Sequence, residues 1–330
     1  MKINIAILGY GYWGPNLVRN FNKISNCNIS YIVDKDVKKL NEAKKLYPNL
    51  RCVSNPLTAI KDKTVNAVVI ALPVSQHYKY ARLVLTNNKH LLIEKPATNS
   101  YTKLKELSNI AKKRKLQLMV DYTFLYTSAV QKIKELIDTN FIGDILFINA
   151  KRYNNIYRKD VNVIGDLAIH DISIFQYILK KMPRLLNVKA FSSINKNIED
   201  TVYINLKYDK TFADISSSWL FPFKNKKMII CGSNKTIVYD DIEPVNKINI
   251  YDSVYSILKR SKILDYNKEK KFIPKLNKQE ALYSMCKDFL FSIAKKNIPI
   301  SNIDFALKIN KIVDACNKSL SYKGKTIKLQ

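Results

Sequence analysis

The sequence predicts an α/β protein of two domains: a parallel sheet covered on both faces, followed by a larger, mostly antiparallel sheet. Three observations carry this expectation. The chain has 330 residues, more than one ordinary core accommodates. Up to about residue 121, short and uniformly apolar runs alternate with helical stretches, the pattern of a parallel sheet with helices on both sides. Beyond it, several β-rich runs follow one another without long helices between, which favours antiparallel pairing.

Taken in order, Ile3, Ile5, Ile7 and Leu8 form a short buried strand. A glycine-rich turn follows, then residues 15–24 with apolar positions at helical spacing (Leu17, Val18, Phe21). Pro15 suits the first turn of that helix, where a missing N–H costs nothing. Strands are predicted at 29–33, 67–71, 91–93 and 116–120, and helices at 37–46, 75–85 and 102–113. In the second half, helices are expected at 128–138 and 165–179, and strands at 144–152, 188–191, 201–208, 212–219, 227–231 and 236–239. Amphipathic helices at 279–295 and 304–319 close the chain. The pattern places the domain boundary at 121/122, giving domains over 1–121 and 122–330 with no low-complexity linker.

Composition narrows the function. No apolar run approaches the roughly 18 residues of a membrane span, and the amino terminus lacks a signal-peptide pattern. A cytoplasmic protein is expected. The five cysteines are scattered with no C-x-x-C, so free thiols are expected and no metal site. The balance of 56 Lys+Arg against 27 Asp+Glu gives +29. Such a field attracts anions. The basic residues are dispersed, including a run at 268–271, and no nucleic-acid motif accompanies them. A phosphorylated small substrate is a better use of the charge than nucleic acid.

The chain holds only seven glycines, and three of them, Gly9, Gly11 and Gly14, fall inside six positions as G-x-G-x-x-G. The cluster follows a strand and opens a helix, the context that gives this motif its meaning. Gly9 permits the tight turn, Gly11 lets a pyrophosphate approach the backbone, and Gly14 allows close helix packing. The helix N-terminus adds N–H donors and partial positive charge. Asp34 ends the second strand, 20 residues after Gly14. Its carboxylate can accept from both hydroxyls of an adenosine ribose and would repel a 2′-phosphate, so NAD is expected rather than NADP. Lys35 and Lys38 weaken that preference.

Two further motifs carry chemistry. Glu94-Lys95-Pro96 follows an apolar strand, and the carboxyl end of a strand in such a sheet faces the ligand crevice. The following proline biases Lys95 towards an extended conformation. Desolvation and a cationic nicotinamide would lower the pKa of Lys95 and suit it to proton transfer. In so lysine-rich a chain the tripeptide alone equally fits an ordinary strand-end lysine. Asp166 and His170 are four residues apart, which places them on one helix face. They suit an acid/base site or a substrate clamp, or simply a helix-terminal aspartate beside a satisfied histidine.

Together ILGYGYWGPNL, IVD, ALPVSQH, EKPA, GDLAIHD and the carboxy-terminal FALKINKIVDACNKSLSYKGKTIKL resemble the Gfo/Idh/MocA oxidoreductases nearly end to end. The spelling GYGYWGPNLVRNF with DVNVIGDLAIHD is most similar to members that oxidise UDP-N-acetylglucosamine or its uronate at C3. The resemblance implies a Rossmann domain, then an α/β domain whose large open sheet mediates a homodimer or homotetramer. It implies Lys95 as catalytic lysine, His170 as its acid/base partner or substrate orienter, and Asp166 on sugar hydroxyls. It places Tyr12, Trp13, Leu72, Pro73, His77 and Glu94 along the cofactor, and Tyr122, Arg152 and Tyr153 on the substrate. The expected function is NAD-dependent oxidation of a ring hydroxyl of a nucleotide-linked sugar. Rivals are an NADP-dependent ketoreductase of a deoxysugar nucleotide, a free polyol or inositol dehydrogenase, an NAD-dependent glycosidase and a non-catalytic NAD-sensing regulator. Many members carry an Arg in the stretch aligned with DYTFLYTSAV, and this chain has none until Arg152.

Overall fold

The computed structural model describes residues 2–253 and 271–329. The lysine run at 268–271 lies outside these residues except for its last member. The chain divides into two compact units, Met1–Tyr126 with Gln279–Asn310, and Thr127–Lys278 with Lys311–Gln330. The first boundary falls close to the expected position. The second domain is not contiguous, however, because residues 279–310 return to the first unit. An amphipathic helix announces that it will pack, but not against what.

The first unit holds a six-stranded sheet in the order β3-β2-β1-β4-β5-β6. Its strands are β1 (Ile3–Leu8), β2 (Cys27–Val33), β3 (Arg51–Val53), β4 (Ala67–Ile70), β5 (His90–Glu94) and β6 (Leu118–Asp121). All pairings are parallel. The helices are α1 (Gly14–Asn22), α2 (Val37–Leu46), α3 (Pro56–Lys61), α4 (Val74–Thr86) and α5 (Tyr101–Lys113), joined by α8 (Ala281–Lys295). Every residue of β4 and β6 is buried, as covered parallel strands must be. The strand order reverses between β1 and β4, which opens a crevice at their carboxyl ends. The three-residue β3 and the six-residue α3 escaped the sequence pattern because they are too short to show a period. Glu280, just before α8, takes both guanidinium nitrogens of Arg19 on α1 at 2.9 and 2.6 Å. Arg19 holds the Glu280 carboxyl down at about 2.

The second unit is built on a nine-stranded sheet, β14-β13-β12-β11-β7-β10-β9-β8-β15. The strands are β7 (Ile145–Tyr153), β8 (Leu185–Phe191), β9 (Thr201–Lys207), β10 (Phe212–Ser218), β11 (Asn225–Gly232), β12 (Lys235–Asp240), β13 (Ile248–Asp252), β14 (Lys271–Phe272) and β15 (Ile327–Lys328). Among the described strands only β7 and β10 run parallel. The helices are α6 (Ser128–Asp138) and α7 (Ile169–Leu179), while α9 (Ile303–Ser321) starts in the first unit and ends here. A π-turn, Ile164–Ala168, runs straight into α7. No helix among the described residues is long and apolar enough to cross a membrane.

Candidate active site

In the first unit the candidate residues gather at the carboxyl ends of β1, β2, β4, β5 and β6. Gly9 has φ +104°, and a Cβ there would lie 2.3 Å from the Ala71 carbonyl oxygen, so the turns after β1 and β4 meet backbone to backbone. A Cβ on Gly14 would lie 2.2 Å from the Gly9 oxygen. Gly11 differs, because a Cβ there would meet nothing within 4 Å. No protein contact explains that glycine, whereas a ligand running along the bare backbone does. Trp13 stands at the N-cap of α1 but its side chain caps none of the helix N–H groups, and Tyr12 beside it is 88% exposed. Asp34 accepts from the Tyr10 N–H at 2.7 Å and the Asp36 N–H at 2.9 Å. A carboxylate offers about four acceptor sites, so two remain for ribose hydroxyls. These residues fit a dinucleotide.

Leu72 and Pro73 form the turn after β4. His77, 1% exposed, reaches the Leu72 carbonyl with Nε2 at 2.7 Å and the Pro96 carbonyl with Nδ1 at 3.0 Å. It ties the turn after β4 to the segment after β5, where Lys95 sits ahead of a cis peptide to Pro96. Glu94 ends β5 opposite Asp121, which ends β6. Burial, then the Asp121 charge, raise the Glu94 carboxyl well above its usual range, against the pull of Lys95. The Asp121 Oδ2 accepts from the Trp13 indole at 3.1 Å. Tyr122 is buried edge-on against Phe305. His90 is a structural histidine, accepting from the Gln117 N–H at 2.9 Å and lowered by burial.

In the second unit the candidates sit where β7 and β10, the parallel pair, end together. Asp166 lies inside the π-turn rather than in a regular α-helix, and His170 follows at the start of α7. Such wide turns recur at functional sites. Asp166 accepts from the Trp219 indole at 3.0 Å and meets Arg158 at 3.3 Å. His170 is half-buried. Arg152 is 3% exposed and grips Asp171, itself 2% exposed, through two bonds of 2.8 Å. Tyr153 bonds Ser216 at 2.9 Å and stacks on Phe221 at 4.0 Å. Tyr157 meets the Trp219 ring edge-on.

Sequence reasoning singled out none of Asp121, Arg158, Trp219 and Phe221, and it gave no role to Asp171, which closes the GDLAIHD motif. Both tryptophans of the chain donate their indole N–H to acids, Trp13 to Asp121 and Trp219 to Asp166. Their rarity was the available signal.

Residues 3–122 match the model described as the oxidoreductase family with an NAD-binding Rossmann fold. Residues 130–238 match the GFO/IDH/MocA C-terminal domain. The chain belongs to the Gfo/Idh/MocA oxidoreductase family. Its first unit is therefore an NAD-binding Rossmann domain. Among the Gfo/Idh/MocA relatives, 2,7-anhydro-N-acetylneuraminate hydratase of Escherichia coli is 24% identical over 75% of this chain and 70% of its own. Inositol 2-dehydrogenase of Rhodococcus jostii is 25% identical over 53% of this chain, which spans only 50% of that protein. The solved structure of UDP-N-acetylglucosamine 3-dehydrogenase from Acidithiobacillus ferrooxidans superposes with a TM-score of 0.83, covering 97% of this chain and 98% of that one at 18% identity. At that identity the likeness speaks for the fold.

Proposed function

We propose that this Gfo/Idh/MocA protein is a cytosolic NAD-dependent dehydrogenase that oxidises a ring hydroxyl, at C3, of a nucleotide-linked sugar such as UDP-N-acetylglucosamine or its uronate. The observation that carries the reading is the placement of Lys95 at the carboxyl end of β5, on the same edge as the bare backbone of Gly11 and the Asp34 carboxylate. NAD, when bound, supplies the hydride acceptor. Gly9, Gly11, Tyr12, Trp13 and Gly14 would hold its pyrophosphate half, Asp34 its adenosine ribose, and Leu72, Pro73, His77 and Glu94 its nicotinamide half.

Lys95 and His170 are the groups assigned to the hydroxyl proton, and a cationic Lys95 stabilises the alkoxide character of the transition state. Asp166, its oxygens engaged by Trp219 and Arg158, keeps acceptor capacity for sugar hydroxyls. Tyr153 adds a substrate contact, whereas Tyr122, expected beside it, is buried against Phe305 and serves packing instead. Arg152 contributes through Asp171, one residue after His170, because the ion pair anchors the start of α7 to β7. The surplus of 56 basic over 27 acidic residues draws in a diphosphate. A homodimer or homotetramer through the large sheet is favoured by Phe147 and Phe212, which stack at 6.0 Å, and by the exposed Tyr203 and Ile229.

The test is a panel of UDP- and dTDP-linked sugars with NAD⁺, followed by absorbance of the reduced cofactor. Reduction with a UDP-N-acetyl sugar is expected. Reduction by free inositol alone would contradict the reading. A second reading, a sugar conversion with no net oxidation, is favoured by the relative named a hydratase, because adding water changes no oxidation level. It would convert sugar with no net NADH.

A further inference from the structure

Among the described residues Tyr157 is the one tyrosine whose hydroxyl is buried without a hydrogen-bond partner. It lies between β7 and the π-turn, in the second unit. Its neighbour Ile156 is 50% exposed, so this segment leaves an aliphatic side chain in water and turns a phenol inward. Burial alone would favour the reverse. The Tyr157 ring stands edge-on to Trp219, with centroids 5.3 Å apart and planes at 77°. Trp219 donates to Asp166 at 3.0 Å. Arg158, the next residue, reaches Asp166 at 3.3 Å and Asp160 at 2.9 and 2.7 Å. Consecutive residues of one segment therefore meet Asp166, Arg158 directly and Tyr157 through a single ring. A buried O–H with no acceptor loses its hydration and gains nothing in return, and buried tyrosines ordinarily bond their hydroxyl. Phenylalanine would keep the edge-on contact without that loss. The folded chain gives the hydroxyl no use, whereas a bound molecule does.

We propose that Tyr157 is a substrate-binding residue whose hydroxyl donates to an acceptor oxygen of the sugar that Asp166 holds by its hydroxyls. The two side chains have complementary capacities. An ionised carboxylate only accepts, and so takes the donor hydroxyls of a ring. A phenol O–H supplies the donor that the carboxylate lacks. Arg158 is a poorer donor to substrate, because its guanidinium is already shared between Asp160 and Asp166. Trp219 touches both the Tyr157 ring and Asp166, so one tryptophan sets the spacing between donor and acceptor. An acyl carbonyl, a uronate carboxylate and a ring oxygen share the acceptor chemistry that the hydroxyl requires. A sugar without the matching oxygen would leave the hydroxyl unmet and be discriminated against. That role rests on the reading of Asp166 as a sugar-binding acid above, and not on which sugar binds.

The test is Tyr157→Phe in the full chain. Without ligand, its midpoint in urea should equal or exceed that of the wild-type protein, because an unmet O–H has been removed. Kinetics then use whichever compounds the wild type oxidises among UDP-N-acetylglucosamine, its uronate, UDP-glucose and inositol. KM should rise about tenfold, the loss of one hydrogen bond, with kcat within about threefold and the affinity for NAD⁺ unchanged. A rise shared by the two N-acetylated sugars but absent with UDP-glucose assigns the contact to the acyl carbonyl. A rise confined to the uronate assigns it to the carboxylate, and an equal rise with every compound assigns it to a ring oxygen. A KM within about twofold of wild type with every compound would overturn the proposal. So would a urea midpoint that falls, since the hydroxyl would then serve the fold. Oxidation of inositol alone would contradict the nucleotide-sugar reading and still decide the role of Tyr157 through its KM.

Discussion

Asp121 in the first unit and Asp166 in the second are each held by a tryptophan, but their other partners have opposite character. The Trp13 indole donates to Asp121 at 3.1 Å, and the Trp219 indole donates to Asp166 at 3.0 Å. Asp121 then faces a second carboxyl group, Glu94, whereas Asp166 faces the Arg158 guanidinium at 3.3 Å. Its neighbour Asp171 is likewise matched by an arginine. The first unit thus concentrates acid around one lysine, and the second neutralises its acids in pairs. Burying a charge is costly unless it is paired or its pKa moves. The two units use the two available solutions.

The largest effect should come from removing the cation that the acids of the first unit surround. Lys95→Ala is expected to lower turnover by about 10²–10⁴-fold while NAD still binds, as measured by cofactor titration alongside steady-state kinetics. Loss of NAD binding with it would shift Lys95 from chemistry to cofactor anchoring. Breaking a pair in the second unit ranks next. Asp171→Ala leaves Arg152 buried without its anion and should cost about 3–5 kcal/mol in urea unfolding. A cost below about 1 kcal/mol would place the pair in solvent-like surroundings.

The two tryptophans sharpen the contrast further. Trp219→Phe withdraws one donor from buried Asp166 and should cost about 1–3 kcal/mol together with a raised KM for the sugar. Trp13→Phe should cost less, since Asp121 keeps Thr123. Equal losses would erase the difference between the two acids. The smallest effect concerns Glu280, a carboxylate of the first unit that is paired with a cation. Its folded pKa of about 2 lies below the ordinary 4.5. Its contribution is therefore present above pH 4.5 and fades as pH falls towards 2. The melting-temperature gap between wild type and Glu280→Gln should narrow across that window. A gap independent of pH would show that Arg19 does not hold the charge.

The parts of the site made by local sequence were legible beforehand. Gly9, Gly11 and Gly14 act through their own backbone, and Asp34 and Lys95 each follow a visible apolar strand. The partners of the acids were not legible, because Trp13 and Asp121 lie 108 residues apart and Trp219 and Asp166 lie 53 apart. Nothing local to either residue specifies such a meeting. The π-turn at Ile164–Ala168 was likewise hidden, since an apolar stretch reads as α-helix whether or not one turn is widened. The edge strands β14 and β15, of two residues each, and β13 beside β14, of five, are too brief for a period of two to stand out.

The most direct measurement follows a label through a single turnover with UDP-N-acetylglucosamine carrying deuterium at C3. The account predicts deuterium in the reduced cofactor and a slowed transient in the wild-type protein, with the transient abolished in Lys95→Ala. Reduced cofactor free of deuterium, or an unaltered transient in Lys95→Ala, would contradict it.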